Sequence, residues 1–295
     1  MVASEGYLLR EAGLRLYHCD WLPLAPTTSD GTATGALVVL MHGYAEHCRR
    51  YDELSRYLVS RGHAVCRLDA RGHGRSQGQR GHIRAYSEYV GDFVAFVESV
   101  VSRHPTRPLV LFGHSNGGLI AARAVQRALV SARGLVLSSP LFALRHGRKP
   151  VPDRVARWLS WCLPRLPLPN RIHANELTHD RALQAAHAVD PWVHGVATPR
   201  WYWATTLAGR AALREAGEVT LPLLVLCGEL DPIVDPKSIS DFHERAASVD
   251  KRLVSRSGEL HEVLSELDRL ALFALFADWI ERVAGMGNAA TASPL

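Results

Sequence analysis

The sequence predicts an α/β fold: a mostly parallel central sheet with helices on both faces and one helical insertion. Three observations predict it. Short runs of consecutive apolar and β-branched residues recur along the chain, as expected of strands covered on both faces. Helical patterns alternate with them, in the βαβα rhythm of a parallel sheet. One stretch rich in proline and tryptophan, from about 140 to 218, breaks that rhythm and shows no strand pattern.

In chain order, YLLREAGLRLYHCDWLP (7–23) reads as an antiparallel hairpin at the sheet edge, followed by a polar loop over 25–35. ALVVLMHG (36–43) is a buried-strand run ending in glycine, and HAVCRLD (63–69) is another. SEYVGDFVAFVESVVSRH (87–104) places Tyr89, Phe93, Phe96 and Val100 near helical spacing. PLVLFGH (108–114) reads as strand, GGLIAARAVQRALV (117–130) as helix and GLVLSSP (134–140) as strand. The insertion follows, with prolines at 150, 152, 164, 167, 169, 191 and 199 and tryptophans at 158, 161, 192, 201 and 203. The sheet resumes with LPLLVLCGE (221–229), the helix SISDFHERAAS (238–248) and the strand KRLVSRS (251–257). A last helix begins near Leu267 and stops at Gly285. The expected organisation is a core of 1–139 with 219–285, an insertion of 140–218, and a small, polar, flexible tail of 286–295.

Composition narrows the function classes. With 295 residues, 47% hydrophobic and 21% charged, disordered, collagen-like and coiled-coil readings are excluded. The length suits one large α/β domain or two smaller ones, with a sizeable core. The longest apolar runs, 221–227 and 270–276, fall far short of the roughly 18 residues of a membrane span. The start, MVASEGYLLREAG, lacks a basic segment followed by an apolar run, so no secretory signal is expected. Five scattered cysteines without a CxxC pair point to a reduced, cytoplasmic chain. Between Pro140 and Asn170, Arg145, Arg148, Lys149, Arg154, Arg157 and Arg165 face one acid, Asp153, an excess equal to the net charge of +5. No nucleic-acid motif accompanies it, so nucleic acid is not expected as a partner. Neither His261-Glu262 nor His243-Glu244 completes HExxH, and no metal is expected.

The strongest chemical signal is GHSNGG (113–118), which directly follows a strand and opens a helix. That is the setting of a nucleophile elbow, G-x-S-x-G. Gly113 and Gly117 remove the Cβ atoms that would block so tight a turn. The turn lifts the Ser115 hydroxyl to a helix start, whose amides favour negative charge. The serine needs a base, and the base an orienting acid, in the chain order serine, acid, histidine. Asp231 in GELDPIVD follows one strand end and His261 in GELHEVL follows the next. Glu229 and Asp235 are rival acids, but Asp235 precedes a helix starting at Pro236 and reads as its N-cap. The oxyanion is expected on two backbone N–H groups, that of Asn116 and that of Tyr44 in the loop HGYAEH (42–47).

These blocks, with DARGHGRSQGQRG (69–81) and GLRLYHCDWLP (13–23), resemble the α/β-hydrolase superfamily, specifically its monoacylglycerol lipase/lysophospholipase branch. The similarity covers nearly the whole chain and is weakest over 140–218. It implies an α/β-hydrolase fold and a triad at Ser115, Asp231 and His261. It also implies a lid at 140–218 and a structural turn in which Asp69, Arg71 and His73 tie loops together. The chain departs from the usual HGxGEH and GHSMGG: Ala45 replaces a glycine, Tyr44 a smaller residue and Asn116 a methionine. The side chains of Tyr44 and Asn116 are therefore expected to tune the entrance.

The expected activity is a serine carboxyl-ester hydrolase acting through an acyl-enzyme on monoacylglycerols, lysophospholipids or related fatty-acyl esters. No cofactor is implied. The alternatives are a thioesterase, amidase, acyltransferase or cofactor-free haloperoxidase, or a non-catalytic binding protein with a hydrolase-like pocket. In the lid, Val151, Val155, Trp158, Leu159 and Cys162 share one helical face, and Trp158 and Trp161 are expected to bind substrate. The basic lid is further expected to touch anionic lipid surfaces, making the chain cytoplasmic with peripheral membrane contact. Against this stands a lid whose apolar face simply packs on the body.

Overall fold

In the computed structural model, which describes residues 1–24, 35–146 and 151–285, the apolar runs pair into one eight-stranded sheet. The chain opens with β1 (Val2–Leu9), β2 (Arg15–Leu22), β3 (Leu37–Met41), α1 (Asp52–Ser60), β4 (Ala64–Leu68), α2 (Ser87–Arg103), β5 (Leu109–His114), α3 (Asn116–Gln126) and β6 (Gly134–Ser138). Next come α4 (Asp153–Cys162), β7 (Leu168–Pro169), α5 (Arg181–Val189), β8 (Val196–Ala197) and α6 (Pro199–Arg214). It closes with β9 (Leu223–Gly228), α7 (Pro236–Arg245), β10 (Lys251–Arg256) and α8 (Arg269–Val283). The sheet order is β1-β2-β4-β3-β5-β6-β9-β10. Among the described residues, only β2 runs against the other strands of this sheet.

The alternation of side chains along each strand builds two cores. Leu37, Val39, Met41, Leu111 and Val225 pack on one face with Phe93 and Phe96 of α2, Leu119 of α3 and Phe242 of α7. Val38, Leu40, Phe112 and Leu226 pack on the other with Leu58 of α1 and Phe273 and Phe276 of α8. Each fully buried Leu or Phe contributes about 1.5–3 kcal/mol relative to exposure. This explains why strands read as unbroken apolar runs: both faces are covered. Helix α8 ends at Val283, and Gly285 just beyond its C-cap has a φ of +74°, the left-handed conformation that glycine supplies after a helix C-terminus.

The fold differs from expectation in several places. The hairpin starts at Val2, not at 7, and turns through Ala12 and Gly13, both at positive φ. Helix α1 has no counterpart in the sequence reading, although Asp52 and Glu53 in its first turn and the buried pair Leu54 and Leu58 mark it. Helix α3 stops at Gln126 rather than 130. The 140–218 segment, expected to hold no strand, contains the short antiparallel pair β7–β8. Most of the polar loop at 25–35, Arg148, Lys149 and the tail 286–295 lie outside the described residues.

The segment between β6 and β9 is tied to the loops at the C-terminal edge of the sheet. The Glu262 N–H donates to the Leu177 carbonyl at 2.7 Å, and His47 Nε2 meets Asp190 at 2.8 Å. His179 pairs with Glu266 and Arg269 with Asp180, each at 3.0 Å. At its near end, α4 instead rests on α6 through the small residues Ala156 and Ser160.

Candidate active site

Ser115 sits between β5 and α3 with φ +50° and ψ −117°, a strained conformation for a residue with a side chain. Such a residue costs about 1–3 kcal/mol and persists only where its surroundings over-determine it. Here they do. The Ser115 N–H donates to Ser138 of β6 at 2.8 Å, and its carbonyl accepts from Leu119 and Leu141. A Cβ on Gly113 would lie 2.3 Å from the Gly117 carbonyl oxygen, and one on Gly117 would lie 2.2 Å from that of Met41. The two glycines thus serve close approach of strand, turn and helix.

His261 and Asp231 arrive from the loops after β10 and β9. His261 Nδ1 lies 2.6 Å from Asp231 Oδ2, and both residues are buried. The other carboxylate oxygen accepts the N–H groups of Ile233 at 2.7 Å and Val234 at 2.9 Å, which fix its plane. Burial works against the charged form of the imidazole, but the charge and hydrogen bond of Asp231, with Glu262 and Glu46 behind, raise its pKa above 6.5. Burial likewise works against the carboxylate, and His261 with the two amides outweighs it, so Asp231 stays below the ordinary 3.8. Asp235, the rival acid, caps α7 through the Lys237 N–H at 3.1 Å. Glu229 accepts from Ser255 at 3.0 Å.

Four parallel strands therefore deliver one constellation to one edge. The β3 end supplies the 42–47 loop, β5 the serine, β9 the acid and β10 the histidine, the edge where open α/β sheets place ligands. Asn116 opens α3, so its N–H is one of the first-turn donors without an intrahelical acceptor. In the opposing loop, Gly43 N–H donates to Glu46 at 2.5 Å, and His42 Nδ1 donates to the Gly43 carbonyl at 2.6 Å while its Nε2 accepts from Ala70. Asp69 ties this loop to its neighbour, accepting from Cys48 at 2.7 Å and Arg75 at 2.8 Å. Arg71 pairs with Asp92, and His73 is buried with its Nδ1 on the Arg71 carbonyl.

Gly43, Tyr44, Ser115 and His261 open onto a cavity of about 780 Å³. Its apolar wall includes Leu141, Leu144, Val151, Leu159 and Ile233. Its charged lining, which the sequence reading did not identify, includes Glu46, Arg50 and Glu262. Arg50 lies 2.8 Å from Glu262 and 3.6 Å from Glu46, and donates to His187 Nδ1 at 2.6 Å. Burial disfavours the guanidinium charge, but the two carboxylates more than compensate. The i, i+4 spacing of Glu46 and Arg50 was a signal; nothing in the sequence joins them to Glu262.

Two expectations need correction. Trp158 and Trp161 do not line the cavity: they are 58% and 78% exposed, because α4 turns Ala156 and Ser160 inward against α6. Its expected apolar face is split, with Val151 and Leu159 on the cavity and Val155, Trp158 and Cys162 exposed. Asn116 also has its side chain away from the cavity, where Oδ1 accepts from the Tyr86 hydroxyl at 3.0 Å. Tyr44 does line the cavity.

Comparison with known proteins agrees with this architecture. Residues 32–268 match the family described as serine aminopeptidase, S33. The chain is 34% identical to a monoacylglycerol lipase of Mycolicibacterium smegmatis over 94% of this chain and 96% of that one. It is 30% identical to a monoglyceride lipase of Mus musculus, over 95% and 92%. The crystal structure of a Paleococcus ferrophilus monoacylglycerol lipase superposes with a TM-score of 0.78 at 26% identity, covering 91% of this chain and 99% of that one. The chain belongs to this family, in the monoacylglycerol lipase/lysophospholipase-like branch of the α/β-hydrolases.

Proposed function

We propose that this carboxylic ester hydrolase cleaves monoacylglycerols, lysophospholipids or related fatty-acyl esters through an acyl-enzyme on Ser115. The observation that carries the reading is that His261, paired with the buried Asp231, opens with the elbow serine onto one cavity with apolar and charged lining. Ser115 attacks the ester carbonyl while His261 takes its proton and passes it to the leaving alcohol. Asp231 holds the imidazole in the tautomer with Nδ1 protonated and stabilises its cation. The N–H groups of Tyr44 and Asn116 hold the oxyanion. Water then cleaves the acyl-enzyme by the same route. The apolar wall suits the acyl chain, and Glu46, Arg50 and Glu262 beside the histidine suit a hydroxyl-bearing leaving group. A hydrolysis panel of p-nitrophenyl esters, monoacylglycerols and lysophospholipids tests the substrate class; turnover confined to thioesters or amides would reject it.

The pH dependence follows from His261. It must be neutral to accept the serine proton, and its pKa is raised above 6.5. On the acid side, kcat/KM for a soluble ester should fall about ten-fold per pH unit below a midpoint above the usual histidine value of about 6.5. A profile flat down to about pH 5 would contradict His261 as the base.

The same reading makes 140–218 a lid and α4 its lipid-facing helix. Among the described residues no helix is long and apolar enough to cross a membrane. Exposed Val155, Trp158, Trp161 and Leu163 stand beside Arg154, Arg157 and Arg165, a combination suited to peripheral contact with anionic lipid by a cytoplasmic enzyme. Each basic residue near such a surface contributes about 1 kcal/mol, screened by salt. Replacing the three arginines by glutamine should weaken partitioning to anionic vesicles about 100-fold and spare turnover of a soluble short-chain ester. Co-sedimentation checks it: wild-type protein left in the supernatant at low salt would reject lipid contact by this helix.

A further inference from the structure

We propose that Tyr44 is a positioning residue whose side chain pins the oxyanion loop to the 194–201 segment of the insertion, holding its own backbone N–H where the oxyanion forms. The inference rests on the reading of that N–H as an oxyanion donor. The Tyr44 hydroxyl donates to the Val196 carbonyl at 2.5 Å, and its ring stacks on Trp201 with centroids 3.7 Å apart. The adjacent residue is tied to the same segment, since the His194 N–H donates to the Ala45 carbonyl at 3.0 Å.

The pin opposes a strain. Ala45 stands where the branch usually has glycine, and its φ is +68°. A left-handed backbone disfavours any residue with a Cβ, so the loop released from its anchors would relax away from this conformation. Gly81, the last residue of the block 69–81, makes room for the junction. A Cβ there would lie 2.4 Å from the Val196 oxygen and 2.8 Å from the Tyr44 hydroxyl, and the Gly81 carbonyl accepts from Thr198 at 2.9 Å. An oxyanion donor acts only when held at the right place, so a displaced loop lowers kcat and leaves acyl-chain binding largely unchanged.

The test compares wild type, Tyr44→Phe, Trp201→Leu and the double variant Tyr44→Phe/Ala45→Gly. The readouts are the extent and rate of fluorophosphonate labelling of Ser115, and kcat and KM for a soluble short-chain ester per labelled serine. Tyr44→Phe should label to completion but more slowly, with kcat down about 10- to 100-fold and KM within about three-fold. Trp201→Leu, which removes the stack and leaves the hydrogen bond, should lower kcat in the same direction. Ala45→Gly should restore most of the kcat lost in Tyr44→Phe, because glycine holds the left-handed conformation without the pin. Wild-type kcat in Tyr44→Phe, or no rescue by glycine, overturns the pin alone. A wild-type enzyme that is not labelled at Ser115 overturns the acyl-enzyme reading and the pin with it.

Discussion

Ser115→Ala should lower kcat for a monoacylglycerol or a p-nitrophenyl ester by about 10⁶-fold, and His261→Ala by a similar factor. In the proposed mechanism the two residues act as a unit, so the double variant should lose little more than either single one. Ser115→Ala should leave the melting temperature nearly unchanged. The strained backbone at φ +50° is held by hydrogen bonds to Ser138, Leu119 and Leu141 that do not involve the hydroxyl, and alanine suffers no greater clash than serine. His261→Ala should cost some stability, because it leaves the buried Asp231 carboxylate with only the Ile233 and Val234 amides. Steady-state kinetics with far-UV circular dichroism on purified variants decides the matter. A Ser115→Ala protein with near-normal esterase rates would end the acyl-enzyme reading.

The parallel sheet was legible because β3, β5, β6 and β9 are buried on both faces and so read as apolar runs. The N-terminal half of β1 was not, because its residues are exposed and carry no alternation. Strands β7 and β8, two residues each, are too short to leave a pattern; their pairing depends on the chain around them. Ser115, Asp231 and His261 were nameable as candidates because the proposed chemistry demands strand ends in a fixed chain order, and sequence records chain order. Tyr44 on Val196 and Arg50 on Glu262 join positions more than 150 residues apart through tertiary contacts, which sequence does not record. The α4 error is of another kind. Periodicity finds an amphipathic helix but not which face is covered, and here the small residues Ala156 and Ser160 face α6 while Trp158 faces out.

Asp231→Asn should lower kcat by about 10⁴-fold, the loss expected when a triad acid becomes an amide. The geometry gives the reason. Asp231 Oδ1 is committed to two backbone N–H groups, so an asparagine would keep its oxygen there and turn its NH₂ toward His261 Nδ1. The histidine would then accept at Nδ1 and carry its proton on Nε2, the nitrogen that takes the serine proton in the proposed mechanism. Removal of the carboxylate also removes the charge that raises the histidine pKa, so the remaining activity should show its acid limb at lower pH than wild type. Asp235→Asn provides the contrast. Asp235 caps α7 through the Lys237 N–H, and asparagine is an equally good cap, so activity should stay within about two-fold and stability within a few tenths of a kcal/mol. Parallel kinetics on the two variants separates the acids: an active Asp231→Asn beside an inactive Asp235→Asn would move the triad acid to 235 and remove Asp231 from the mechanism.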